Sequence, residues 1–144
     1  MTEELQRILV EKALDARNNS YCPYSGFAVG AALLCKTNGD EPDKIYLGCN
    51  IENSSYGATN CAERTAIFKA VSEGYREFKA IAIVGAPKGE LPRDYAYPCG
   101  ICRQVMSEFC SMDFEVIVAI STEKYKVYQL KDLLPEAFSA ASME

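Results

Sequence analysis

Three cysteines on two distant segments constrain this chain more than any other feature. Cys61 lies in Asn60-Cys61-Ala62-Glu63-Arg64-Thr65-Ala66, and Cys99 and Cys102 lie in Pro98-Cys99-Gly100-Ile101-Cys102-Arg103-Gln104. Each segment stands where a loop gives way to a helical pattern. Helix N-termini lower the pKa of a cysteine there and favour its thiolate. Cys99 and Cys102, three residues apart on one helix, face the same way. A fold that joins the two helix starts gathers three thiolates, enough to hold a zinc ion at ~2.3 Å from each sulfur with the fourth position open. Glu63, two residues after Cys61, is not needed as a ligand and stands ready to move protons at that open position. The spacing therefore predicts a metal-assisted hydrolase.

Composition narrows the field. At 144 residues the chain is long enough for one domain, 1–144, with its own core. Its hydrophobic content of 49% and charged content of 24% predict a soluble globular protein. A net charge of −5 argues against nucleic acid as a partner, which needs a basic face. No apolar run reaches membrane-span length, and Met1-Thr2-Glu3-Glu4 opens no signal peptide. Seven cysteines without a secretion signal predict a reducing, cytoplasmic setting, where clustered cysteines bind metal or do chemistry. With no histidine present, any metal site is built from cysteine and carboxylate.

Along the chain, Leu5, Ile8, Leu9, Ala13 and Ala16 predict an amphipathic helix over 3–17. The apolar run Phe27–Cys35 predicts a strand covered on both faces, and its small residues, Gly30 among them, a helix lying close against it. Ile45, Leu47 and Cys49 predict a second strand in a hairpin with the first, across Asn38-Gly39-Asp40. Cys61–Glu73 predicts a helix with a small-residue face at Ala62, Ala66 and Ala70. A buried strand at 80–85, a helix after Pro98, strands at 114–120 and 125–130, and a short terminal helix at 131–138 complete the order. Strands separated by helices suggest parallel neighbours. The fold class is α/β, a three-layer α-β-α sandwich with a mixed five-stranded sheet.

The Cys-Gly-x-Cys pair alone fits a dithiol redox site as well as it fits metal. Cys61-x-Glu63 at a second helix start turns the reading toward metal. A structural zinc site needs a fourth protein ligand, and Cys22, Cys35, Cys49 and Cys110 all lie away from these segments in sequence. Phe27 alone reads as a core residue, Asn50 and Glu52 as turn residues, and Phe138 as a terminal hydrophobe.

Taken together, the motifs carry a resemblance. Cys61-Ala62-Glu63 with Pro98-Cys99-Gly100-Ile101-Cys102 fits the zinc-deaminase signature, with Cys replacing His as first ligand. Tyr24-Ser25-Gly26-Phe27-Ala28-Val29-Gly30-Ala31-Ala32, Gly48-Cys49-Asn50-Ile51-Glu52-Asn53 and Leu133-Leu134-Pro135-Glu136-Ala137-Phe138 resemble the small three-cysteine cytidine deaminases. The likeness runs from about Ala13 to Phe138. It implies zinc-dependent hydrolysis of cytidine and deoxycytidine to uridine and deoxyuridine plus ammonia, in pyrimidine salvage. It further implies one Zn2+ per subunit on Cys61, Cys99 and Cys102, and Glu63 as the catalytic acid and base. Ala62 offers a backbone N–H to the base, Phe27 flanks it, Asn50 and Glu52 bind the ribose hydroxyls, and Tyr56 lines the wall. Phe138 caps a site in another subunit of a homotetramer with shared active sites. Arg64 offsets the thiolate charge, and Gln104 is structural. Two departures stand out: Tyr97 where relatives commonly carry a small residue, expected to alter pocket shape, and Glu136 where Gly is common, expected to stiffen the terminal helix. Rival readings are a deaminase of another aminopyrimidine nucleoside, a polynucleotide editor, a structural zinc protein and a dithiol oxidoreductase.

Overall fold

The computed structural model describes residues 1–144. Helix α1 covers Glu3–Ala16, capped by the Thr2 hydroxyl accepting from the Leu5 N–H at 3.2 Å. Strands β1 (Phe27–Cys35) and β2 (Lys44–Cys49) form the expected hairpin, and α2 (Ala62–Ser72) follows an irregular stretch over 50–60. Then come β3 (Phe78–Pro87), α3 (Gly100–Phe109), β4 (Glu115–Ser121), β5 (Lys124–Gln129) and the short α4 (Leu130–Leu133). No helix is long and apolar enough to cross a membrane.

The five strands form one sheet in the order β2-β1-β3-β4-β5. Only β3 and β4 run parallel, joined by the crossover through α3 that parallel pairing requires. The expectation that helix-separated strands are parallel neighbours fails for β2 and β3. The connection through α2 passes over β1, so β3 pairs antiparallel with the far side of β1, in register Gly30 with Val84 and Ala32 with Ala82.

Alternation along the strands divides the core into two layers. Ala32, Leu34, Ala80, Ala82, Val84 and Ile117 meet Leu9, Val10 and Ala13 of α1 on one face. Ala31, Leu33, Ile81, Ile83, Val116 and Val118 meet Ala62, Ala66, Ile67 and Ala70 of α2 and Met106 of α3 on the other. Each fully buried Leu, Ile or Met contributes about 1.5–3 kcal/mol through apolar area removed from water. Both layers close tightly through glycine. A Cβ on Gly30 would lie 2.0 Å from the Ala13 carbonyl oxygen, and one on Gly48 would lie 2.3 Å from the Ala62 carbonyl oxygen.

The terminal helix is shorter than the sequence predicts. It covers Leu130–Leu133 and stops because Pro135 disfavours helical geometry at Leu134, which sits at φ −143°. Glu136 then takes a left-handed backbone at φ 54°, a conformation that favours glycine. There is accordingly no helix around Phe138 for Glu136 to stiffen; a 3-10 turn follows at Ala140–Met143.

Gly30→Ala is expected to push α1 off the sheet and lower the melting temperature by about 5–10 °C. Gly57→Ala, with no atom within 4 Å of the added Cβ, is the control and should stay within about 2 °C. Calorimetry showing equal melting for both would contradict the close approach.

Candidate active site

Close packing at Gly48 sets the position of the first cysteine. It seats the start of α2 on β2, and Cys61 is the N-cap of that helix at φ −74°, ψ 158°. Cys99 is the N-cap of α3 at φ −68°, ψ 167°, and Cys102 lies fully buried one turn later. The two helix starts converge. Cys61 Sγ and Cys99 Sγ are 3.7 Å apart, and the three sulfurs lie within 4.8 Å of one another. Two thiolates on a tetrahedral zinc at ~2.3 Å each are separated by ~3.8 Å. The donor set therefore fits zinc in both chemistry and spacing.

The charges around the cluster are arranged in the same sense. Arg64 Nη2 donates to Cys61 Sγ at 3.2 Å, placing a cation where three thiolates and one zinc leave a formal charge of −1. Without metal, the thiols share protons unequally. The neighbouring Cys102 thiol, with help from Arg64 and Cys99, pulls Cys61 down to about 5. Cys102 is correspondingly pushed far up, by its closeness to Cys61 and by burial. Glu63 is 4% exposed. Burial, with the Cys61 charge adding to it, pushes its carboxyl up to about 7.

A polar wall joins this centre through Ile51. Its N–H and carbonyl pair with those of Asn60 at 2.9 Å each, immediately before Cys61. On one side of Ile51, the buried Asn50 side chain accepts from the Val29 N–H at 2.9 Å and donates to the Phe27 carbonyl at 2.8 Å. The Ser20 hydroxyl also donates to Asn50 Oδ1. On the other side, Glu52 accepts from the Tyr24 N–H at 3.0 Å and the Ser25 N–H at 3.1 Å, and from the Ser25 hydroxyl. Tyr24, Ser25, Glu52, Tyr56 and Thr59 line an open cavity of about 360 Å³. Tyr56 is exposed and meets Tyr24 edge-on at 5.8 Å between ring centroids. The Phe27 ring lies over Gly85, whose added Cβ would be 2.8 Å from Cε1 and 2.9 Å from Ala96 Cβ, on the loop leading to Cys99.

Ala62 is fully buried at the first position of α2. Phe138 is exposed on the tail, where its carbonyl accepts from Gln104 Nε2 at 2.7 Å, so Gln104 ties the tail to α3. Tyr97 turns toward β5, with its ring 6.0 Å from that of Tyr128 and 6.3 Å from that of Tyr95. Ser25 and Arg103 join the site only through contacts that the sequence does not announce. Arg103 holds the cysteine loop from α3, donating to the Pro98 carbonyl at 2.8 Å and the Leu133 carbonyl at 2.7 Å. A serine two residues before an apolar strand and an arginine on a helix carry no signal until their partners are known.

The model of the cytidine and deoxycytidylate deaminase zinc-binding region matches residues 3–119. The chain belongs to that family. It is 46% identical over 138 residues to the cytidine deaminase of Halalkalibacterium halodurans, covering 96% of this chain and 97% of the relative. With the cytidine deaminase of Sporosarcina psychrophila it shares 48% identity over 131 residues, 91% of this chain and 89% of that one. The crystal structure of the Burkholderia pseudomallei cytidine deaminase superposes with a TM-score of 0.79 at 45% identity, covering 96% of this chain and all 100% of that chain. The three-layer α/β fold is thus a deaminase fold, and the three-cysteine cluster fits one Zn2+ per chain.

Arg64→Gln should weaken zinc retention by about 10-fold, as loss of a ligand's hydrogen-bond partner does. Competition against a chromophoric chelator measures this, and unchanged retention together with unchanged turnover would remove Arg64 from the site. Cys102→Ser should bind well below one zinc per chain under the same conditions.

Proposed function

We propose that residues 1–144 act as a single catalytic domain that hydrolyses cytidine and deoxycytidine to the corresponding uridine nucleosides and ammonia, as in pyrimidine salvage. The observation that carries this reading is a buried carboxyl, Glu63, two residues from one thiolate of a cluster whose sulfur spacing suits zinc. The relatives named cytidine deaminase support it across nearly the whole chain.

A zinc ion on Cys61, Cys99 and Cys102 supplies Lewis acidity and brings the pKa of a water there to ~7. Glu63 takes one proton from the water that adds to C4 and delivers it to N3 of the pyrimidine. It then takes the remaining proton from the hydroxyl now on C4 and passes it to the exocyclic nitrogen, so that the C4–N bond breaks, ammonia leaves and the C4 carbonyl forms. Its burial excludes bulk water from that exchange and keeps its proton affinity near neutral, where a group that must both take and give is most effective. The Ala62 N–H stands at a helix start, where backbone donors lack intrahelical partners, and orients the base. Phe27 packs against the ring, and Arg64 balances the thiolate charge.

Asn50 and Glu52 suit a sugar hydroxyl by what they have left to offer. Three of the four hydrogen-bonding positions of the Asn50 amide are engaged, leaving one N–H. Glu52 has three of its roughly four acceptor positions engaged, leaving one on Oε2. A hydroxyl that accepts from one and donates to the other satisfies both. The hydrogen bond from the Ser25 hydroxyl, with those from the two backbone N–H groups, holds the Glu52 carboxyl below its usual range, so it is ionised at neutral pH and repels a 5′-phosphate. The substrate is therefore a free nucleoside. The exposed tail around Phe138 supports a homotetramer in which that ring covers a neighbour's site, and the cysteine usage supports a cytoplasmic setting.

Glu63→Gln should lower kcat for cytidine by at least ~10²–10⁴-fold with zinc still bound; near-normal turnover would sink the mechanism. Cytidine monophosphate should be turned over far more slowly than cytidine, and comparable rates would remove the role given to Glu52.

A further inference from the structure

Ser25 sits on the turn that leads into β1, closed by the Gly26 N–H donating to the Cys22 carbonyl at 2.9 Å. Gly26 takes φ 67° with nothing within 4 Å of an added Cβ, so the turn is shaped by backbone geometry and not by packing. The Ser25 hydroxyl works in two directions. It donates to Glu52 Oε2 and accepts from the Phe27 N–H at 3.0 Å. Its own N–H, with that of Tyr24, holds Oε1 of the same carboxylate. The carboxylate read as the sugar contact and the backbone N–H of the residue whose ring is read as the base contact therefore meet at a single oxygen.

A hydroxyl that donates to a carboxylate is polarised by it, and donor–acceptor chains of this kind strengthen one another. Loss of the hydroxyl would free Glu52 Oε2 to rotate toward solvent. The exposed Phe27 amide would take a water in its place, while the pairing of Phe27 with Pro87 keeps the start of β1, and the ring, where they are. Ser25 is itself exposed, so its replacement opens no cavity in the core.

We propose that Ser25 is a positioning residue: through its hydroxyl it couples the Glu52 carboxylate to the backbone of Phe27 and so makes the site selective for nucleosides that carry ribose hydroxyls. This rests on the reading of Glu52 as the ribose contact.

Steady-state kinetics on zinc-loaded protein with cytidine and with 2′,3′-dideoxycytidine test it, using Ser25→Ala, Ser25→Thr, Glu52→Gln and the Ser25→Ala/Glu52→Gln double variant. Ser25→Ala should raise KM for cytidine about 5–10-fold, the effect of losing one hydrogen bond to a charged group that water partly replaces, with kcat within about twofold. The same variant should leave dideoxycytidine, which lacks the hydroxyls, within about twofold in both parameters. Ser25→Thr should restore most of the cytidine KM, and the double variant should be no worse than Glu52→Gln alone. Equal losses on both substrates, or additive effects in the double variant, would overturn the coupling. If Glu52→Gln raises the cytidine KM and Ser25→Ala does not, the coupling alone fails. If Glu52→Gln leaves the cytidine KM unchanged, the ribose reading fails and the proposal with it.

Discussion

The contact on which the site depends is the seating of α2 against β2 at Gly48. A Cβ there would collide with the Ala62 carbonyl and the Ala66 backbone, so only glycine lets the helix start settle onto the strand. Ala62, Ala66 and Ala70 extend the same close face along the helix, all fully buried. The depth of that seating fixes where Cys61 emerges, and hence whether its sulfur meets those of Cys99 and Cys102. The parallel pairing of β3 with β4 does the corresponding work for α3, because the crossover delivers the start of that helix beside α2. The metal cluster is thus a consequence of sheet order and of the small residues between β2 and α2, more than of the loops that carry it.

Burying Glu63 next to thiolates opposes folding at neutral pH, since the carboxyl's affinity for its proton is raised in the native chain above its ordinary value. A buried carboxyl with no strong cationic partner of its own makes little sense as a stabilising element. It fits the proposed role of a group that holds and releases a proton near pH 7. Arg64 is directed to the sulfur of Cys61, and its charge only slightly offsets the effect of burial on Glu63. The polar wall follows another logic. Asn50 and Glu52 are each almost fully engaged with the backbone and with Ser20 or Ser25, which makes them rigid and leaves one matched donor and acceptor for a ligand.

Much of this was legible in the sequence because the signals were strong and local. Apolar runs and helical spacing marked the five strands and the three main helices, and the glycine and alanine pattern marked the close faces. The cysteine spacing foretold a cluster, and Arg64, its neighbour in sequence, reaches that cluster through Cys61 Sγ. What escaped had non-local causes. The pairing of β3 with β1, and not with β2, depends on which side of the hairpin the α2 connection crosses, which no local pattern encodes. The terminal helix ends sooner than its pattern predicts because Leu133-Leu134 reads as helical while Pro135 and the left-handed Glu136 backbone end it. Ser25 and Arg103 have ordinary neighbours in sequence and gain meaning only from partners 27 and 30 residues away. Residue roles at Phe27, Asn50, Glu52, Tyr56 and Phe138 came from family resemblance, since the residue types alone fit core, turn or tail equally well.

Two helix starts supply three thiolates and no fourth protein ligand, which leaves one position of a bound zinc for water. X-ray absorption spectroscopy at the zinc edge of the metal-loaded protein tests it most directly. The account predicts a first shell of three sulfurs at ~2.3 Å and one oxygen at ~2.0 Å. A four-sulfur shell, drawing in one of the remaining cysteines, would make the centre structural and contradict the account.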